Sequence, residues 1–441
     1  MARRGRQWRR WAVPLAAATM AALGLSACAP TSSGSGGSAA SSADISGQTI
    51  TVGVESGSPW QTFYGKMAAD FTKQTGVNVK FQPVPHDSMQ QQFLSDATSG
   101  AGAYDIFTVD QTWMPQFAAK GYLANLDGTL PASDRSDFLP HTLDTATYDG
   151  KLYSVPFMVH NLVLYYRTDL FKAAGIAAPP TTWAEFEADA KKLTNPATGV
   201  YGTIIPGAQD VEIATRLESY IQQSGGDIVD SSGNPTLDTD AAKKALKMMT
   251  TIQNDDKASP SGLHDLTDIQ GQFLAGKAAM AFVWPYLYGM SQDPSQSKVV
   301  GNVGVALDPG NPNQSATTFS WGFGVNSSSK HIAAAEKWVQ WSTSPDVLKQ
   351  LSLTQSVPVP RASVSDALAK DNSLNAGQKQ AFSVFDQSVS KSTTMPMTPA
   401  YPQYQNAMSI AVSSVMSGTQ SIDAALAQAQ KSAEDAHNSV K

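Results

Sequence analysis

Large aromatic residues stand beside acids and amides at the ends of several apolar, β-rich runs. Glu55 and Trp60 follow the run Thr49–Val54, and Asp110, Gln111 and Trp113 follow Tyr104–Val109. Trp284 and Tyr286 flank Pro285 after Ala278–Val283. A polyhydroxylated ring has apolar faces and polar edges. It is held by indole or phenol faces stacked on the ring and by carboxylates, amides or imidazoles that bond its hydroxyls. In open α/β sheets, ligands lie beyond the carboxyl ends of the strands, which is where these residues fall. Each has a plainer reading. Trp60 shares a helical face with Phe63 and Met67 and could be core. Asp110 could cap the next helix, and Trp113 could pack on it. The Trp284-Pro285-Tyr286 cluster sits in a loop, where exposed aromatic area is costly unless used.

Other chemistries fail on spacing. Gly271-Gln272-Phe273-Leu274-Ala275-Gly276-Lys277 has the spacing of a phosphate loop. Ala278 stands where Ser or Thr must hold magnesium, and a helix precedes the motif where a strand should. There is no Gly-x-Ser-x-Gly elbow. His86, His141, His160, His264, His331 and His437 lack ligand spacing, so no metal site or cofactor is expected. Asp255-Asp256 reads as a solvated helix end. No set of carboxylates converging on aromatics is evident, which disfavours a polyamine. No cluster of Lys or Arg is evident for a phosphate, so a neutral sugar is the preferred ligand.

The elements that must hold the candidate residues alternate in type. Ser58-Pro59 is an N-cap followed by proline at the first helical position, and Phe63, Met67 and Phe71 continue that helix to Gly76. Strands are expected over Val77–Val84 and Tyr104–Val109, with a helix from Met89 and another in Asp110–Ala119. This order implies an α/β layer on a largely parallel sheet. A second such region follows Val155-Pro156. It has strand-like Asn161–Tyr166 and a capping box at Thr182-Trp183-Ala184-Glu185. Helical faces carry Ile213, Leu217, Tyr220 and Ile221, then Ala242, Leu246, Met249 and Ile252. Helical Asp268–Ala275 leads into strand-like Ala278–Val283. Val299–Leu307 and Phe319–Val325 are β-like, Ala333–Trp341 is a helix, and Gln403–Asn438 is mostly helical. Trp183, Trp338 and Trp341 are assigned to core.

The N-terminus carries five arginines, then a short apolar run ending in Leu25-Ser26-Ala27-Cys28. This is the pattern of a signal peptide cleaved before a lipid-modified cysteine, and Cys28 is the only cysteine in the chain. Cleavage leaves 441 − 27 = 414 residues without an internal disulfide and shifts the formal charge from −6 to −6 − 5 = −11. That charge argues against nucleic acid as a partner. Residues 28–46 are Ser/Gly-rich and read as a flexible tether.

Seven segments in order carry a resemblance. They are Tyr104–Asp110, Gly150–Pro156, Leu164–Phe171, Pro180–Phe186, Phe273–Met280, Trp321–Val325 and Val357–Arg361. Together they resemble the bacterial extracellular solute-binding proteins of family 1, the class that includes maltose-binding proteins. The resemblance implies a two-lobed, periplasmic-binding-protein-like α/β fold with discontinuous lobes, hinge crossings and a central ligand cleft. The implied division is residues 47–157 plus 307–352 for the N-terminal lobe and 158–306 plus 353–441 for the C-terminal lobe. It places His160 and Asn161 on the first crossing, Trp321 near another, and Arg361 at the position of an arginine often found at the cleft. The family often has Gly-Pro-Trp where this chain has Trp284-Pro285-Tyr286, so which ring stacks is open. The implied function is sugar capture without chemistry, as a monomer that hands its ligand to the transmembrane subunits of an ATP-driven importer. The rivals are the same fold holding a polyamine, glycerol phosphate or metal chelate, and a secreted glycoside hydrolase.

Overall fold

The computed structural model describes residues 44–310, 314 and 317–440. The leader, Cys28 and most of the tether lie outside the described residues. Among these residues, no helix is long and apolar enough to cross a membrane.

The strands in chain order are β1 (Thr49–Glu55), β2 (Asn78–Val84), β3 (Ile106–Asp110), β4 (Thr147–Tyr148), β5 (Lys151–Leu152), β6 (Val155–His160), β7 (Val163–Arg167), β8 (Met280–Val283), β9 (Val303–Ala306), β10 (Thr317–Val325) and β11 (Thr393–Thr394). One sheet runs β11-β10-β3-β1-β2, with β6 also paired to β10. A second has the order β8-β7-β9, and β4 and β5 form a separate hairpin. The chain passes from the first sheet to the second over Asn161 and Leu162, and returns to the first between β9 and β10.

The expectation of a largely parallel layer over the first strands holds, and antiparallel strands join that layer from elsewhere in the chain. β1 is parallel to β2 and β3, but β10 runs antiparallel to β3 and β6. The second sheet is antiparallel throughout. Alternating helices and strands force parallel pairing only where each crossover returns to the same sheet. β10 arrives from the other sheet, so the long crossing sets its direction.

Local chemistry explains the ends of the elements that carry the site. The helix Pro59–Thr75 starts where Ser58 Oγ accepts the Gln61 N–H at 3.1 Å, and stops at Gly76, whose φ of 73° is left-handed. At Thr182 both capping-box bonds form: Glu185 N–H to Thr182 Oγ1 at 3.2 Å and Thr182 N–H to Glu185 Oε2 at 3.1 Å. Gly53 in β1 faces the Phe93 ring so closely that a Cβ there would lie 2.5 Å from it. Phe93 in turn backs Trp113, with ring centroids 5.9 Å apart.

Two apolar clusters hold these elements. Ile50, Val52, Ile106, Phe107, Phe323 and Trp338 belong to one, and Leu164, Phe186, Leu217, Phe282, Tyr401 and Met408 to the other. Stacked Phe157 and Phe323, 4.7 Å apart, lie edge-on to Tyr64 and tie β6 and β10 to the first helix. Trp338 is fully buried here, while Trp183 and Trp341 pack at the cluster margins. Helices at Pro345–Gln355, Ala362–Ala369 and Ala376–Ser390 were not foreseen from the sequence.

Candidate functional site

The ends of β1, β3 and β8 open on one cavity of about 650 Å³. Glu55, Trp60, Asp110, Trp113, His160, Trp284, Tyr286 and Trp321 all line it. A second chamber of about 920 Å³ adjoins, sharing Glu55, Trp60 and Tyr286 with the first.

Trp284 is the most constrained of these residues. Its ring stacks on His160, with centroids 4.4 Å apart and planes 27° apart, and meets Phe319 edge-on at 5.9 Å. Its indole N–H donates to Glu212 Oε2 at 2.8 Å. Behind it, the Tyr165 hydroxyl donates to the carbonyl of Pro285 at 2.8 Å and lies 3.2 Å from that of Trp284, which holds the loop. Tyr286 accepts a bond from Gln270 Nε2 at 2.8 Å. Burial pushes the His160 imidazole down to about 3, so the ring is neutral. Trp60 and Trp321 lie 5.7 Å apart and Trp321 also meets His86 at 5.9 Å. Trp60 and Trp113 are thus both core and wall: each is about 6% exposed, and each contributes a face to the cavity.

The acids of the cavity are unusual in charge. Burial raises Glu55 to about 7, with His86 opposing the rise and Asp110 and Glu212 adding to it. Burial raises Asp110, whose Oδ1 accepts the Thr112 N–H at 2.8 Å. It also raises Glu212, opposed by Arg216, the Trp284 bond and His86. Desolvation thus favours the neutral carboxyl in all three.

Three expected residues are not brought to the cavity. Gln111 is buried with its Nε2 3.8 Å from Met397 Sδ. Asn161 donates to the Ser388 carbonyl at 3.4 Å and accepts from Thr318 at 3.2 Å, pinning the passage between the sheets. Arg361 is 1% exposed and pairs with Asp137 at 3.2 Å, donates to the Thr343 carbonyl at 2.7 Å, and lies 4.5 Å over the Phe138 ring. Tyr401 and Tyr404 are fully buried, bonded to Glu218 and His437; their neighbour Gln405 reaches the cavity instead.

Sequence reasoning missed Glu212, Asp210, His86, Gln90, Gln209, Thr215, Thr267 and Gln405. Asp210 and Glu212 had a usable signal. Asp210 caps the helix Val211–Gln223, accepting the Ile213 N–H at 2.9 Å, and a helix start aimed at a cleft exposes its first turn. The expectation that no carboxylates converge on aromatics is overturned, because Glu55, Asp110, Asp210 and Glu212 line one space with four indoles and one phenol. Pairs distant in sequence carry no periodic signal.

Two sheets that open on one aromatic-walled cleft define a two-lobed binding protein. The chain belongs to the family of bacterial extracellular solute-binding proteins, whose model matches residues 56–349. That family is extracellular and consists of binding proteins, not enzymes. The chain is 26% identical over 333 residues to a probable amino-acid ABC transporter periplasmic-binding protein of Sinorhizobium fredii, covering 73% of this chain and 74% of that one. Among solved structures it resembles an ABC transporter solute-binding protein of Agrobacterium radiobacter K84 in complex with ribitol. That match has TM-score 0.76 and 28% identity, over 89% of this chain and 99% of the other. It also resembles the GacH receptor of Streptomyces glaucescens GLA.O, solved unliganded and with acarbose. There the TM-score is 0.79 and the identity 27%, again over 89% and 99%.

Proposed function

We propose that this chain captures a sugar or sugar-like polyol in the cleft and delivers it to the transmembrane subunits of an ABC importer, without altering it. The observation that carries this is the cavity wall. Trp60, Trp113, Trp284, Tyr286 and Trp321 offer ring faces, while Gln90, Gln209, Gln405, Thr112 and the carboxylates offer bonds to hydroxyls. Relatives named for ribitol and acarbose support the same class. An α-amino acid fits less well, since neither Arg nor Lys lines the cavity to take its carboxylate. The lobes divide where the chain passes between the sheets, at Asn161 and Leu162 and again between β9 and β10, rather than at 157–158 and 352–353, which would cut the strand Val155–His160 and the helix Pro345–Gln355, and they close by a hinge motion. The protein acts as a monomer tethered outside the cell by lipid on Cys28, and residues 28–46 give it reach. Eight expected residues, Glu55, Trp60, Asp110, Trp113, His160, Trp284, Tyr286 and Trp321, contact the ligand, together with Glu212.

Calorimetry of the purified protein against a panel of sugars and polyols tests this. At least one saturable isotherm is expected, with the ligand recovered unchanged. Hydrolysis of an oligosaccharide, or no heat from any member, would overturn it.

A further inference from the structure

The charge inside the 650 Å³ cavity does not balance. Glu55, Asp110, Asp210 and Glu212 line it, and among the described residues no Arg or Lys does. The groups facing these acids are His86, which opposes the rise in Glu55, Asp110 and Glu212, and Arg216, which lies behind Glu212 and Asp210. Arg216 donates to the Phe282 carbonyl at 2.6 Å through Nη1 while its Nη2 has no hydrogen-bond partner, so its one positive charge counts against these acids. Tyr286, Tyr401 and Asp265 are further titratable neighbours, and none brings positive charge. His160 is neutral and stacked on Trp284. Four carboxylates therefore face one guanidinium outside the wall and one imidazole.

A second, independent observation points to a ligand. Trp60 is 6% exposed and part of the wall, and its indole N–H has no hydrogen-bond partner. A buried donor of this kind takes an acceptor, which the hydroxyl oxygens of a sugar supply and an ammonium does not. The ring faces around it also attract a cation, through the negative face of each π-system.

We propose that the ligand of this cleft is a sugar or polyol that carries a protonated amine, with the ring on the indole faces and the ammonium among Glu55, Asp110 and Glu212. This deepens the sugar-capture reading and rests on it. A neutral sugar leaves the acids to share protons among themselves. An ammonium ionises them and gains charge-assisted hydrogen bonds.

Matched pairs test the inference by calorimetry on the whole protein: glucose with glucosamine, galactose with galactosamine, and cellobiose with its diamino analogue, each beside the N-acetylated form. The amine is expected to bind at least about tenfold tighter than its neutral partners. At pH 7 its binding should release protons, seen as a heat that scales with the ionisation enthalpy of the buffer. Glu212→Gln should abolish the preference for the amine, read as the ratio of the affinities for each amine and its neutral partner. Equal or tighter binding of the neutral partner overturns the inference and leaves sugar capture standing. Binding of spermidine with no sugar bound overturns sugar capture itself, and silence from every probe overturns both.

Discussion

Two regions of this molecule bury charge, and they do so in opposite ways. At Arg361 the guanidinium is matched within the chain, by Asp137, by the Thr343 carbonyl and by the Phe138 face. In the cleft, Glu55, Asp110 and Glu212 are half-buried with too little positive charge to match them. Burial raises these acids, whereas Asp137 is lowered because bonds from Ser363 and Arg361 outweigh its own burial. Matched charge belongs to the architecture, and unmatched charge is held ready for something the chain does not contain. Neutralising a charge should therefore have opposite consequences in the two places.

The largest effect is expected at the matched site. Arg361→Met should cost about 3 kcal/mol or more of stability, because it leaves Asp137 without its ion pair. Urea unfolding measures this, and ligand affinity in the folded fraction should not move. A loss of affinity instead would bring Arg361 back into the site.

Next comes the wall. Tyr286→Ala should weaken ligand binding by about tenfold to a hundredfold, by removing one stacking face, with an unchanged circular dichroism spectrum. Trp284→Ala should abolish binding as well. Its stacking on His160 and its place in the core mean it also lowers Tm, so Tyr286 is the cleaner probe.

The pH profile sharpens the contrast. Glu55 is raised to about 7, and Glu218 and Asp308, buried elsewhere in the chain, to about 8. A carboxyl with a raised folded value binds more protons folded than unfolded. Stability then falls as pH rises from about 4 through the folded value, and levels off above it. Tm of the ligand-free protein should decline between about pH 4 and pH 8, and Glu218→Gln should flatten that decline. For Asp137 the sign reverses. Its folded value is lowered, so its contribution is present near neutrality and lost as pH falls through that value. A variant Asp137→Asn should lose stability at pH 7 and little at pH 2.

The smallest effect is the most pointed. Glu212→Gln should raise Tm of the empty protein by about 2–4 °C at pH 8, since desolvation outweighs the partners of this charge and the amide oxygen still accepts the Trp284 N–H. If it lowers Tm as Arg361→Met does, the two regions are not different in kind.

The parts legible in the sequence share a property: their causes are local. Ser58-Pro59, Gly76 and the Thr182–Glu185 box announced their helices because cap and partner lie within four residues. The strand ends gave Glu55, Asp110 and Trp284, because strand direction and length place the following residue at the sheet edge. Arg361 could not be placed this way. Its partner Asp137 is 224 residues away, and a cleft position and a buried ion pair look alike in sequence.

By itself the sequence determined where helices and strands begin, which faces are apolar, and that the pieces follow the order of an extracellular binding protein. Hydrogen bonds to near neighbours and the periodicity of side chains suffice for that. Only the tertiary structure decided that β10 runs against β3, and that Asp210 and Glu212 turn toward Glu55 and Asp110 across the cleft. Long crossings set those relations, and no local energy in the chain records which distant acid will share a space with which ring.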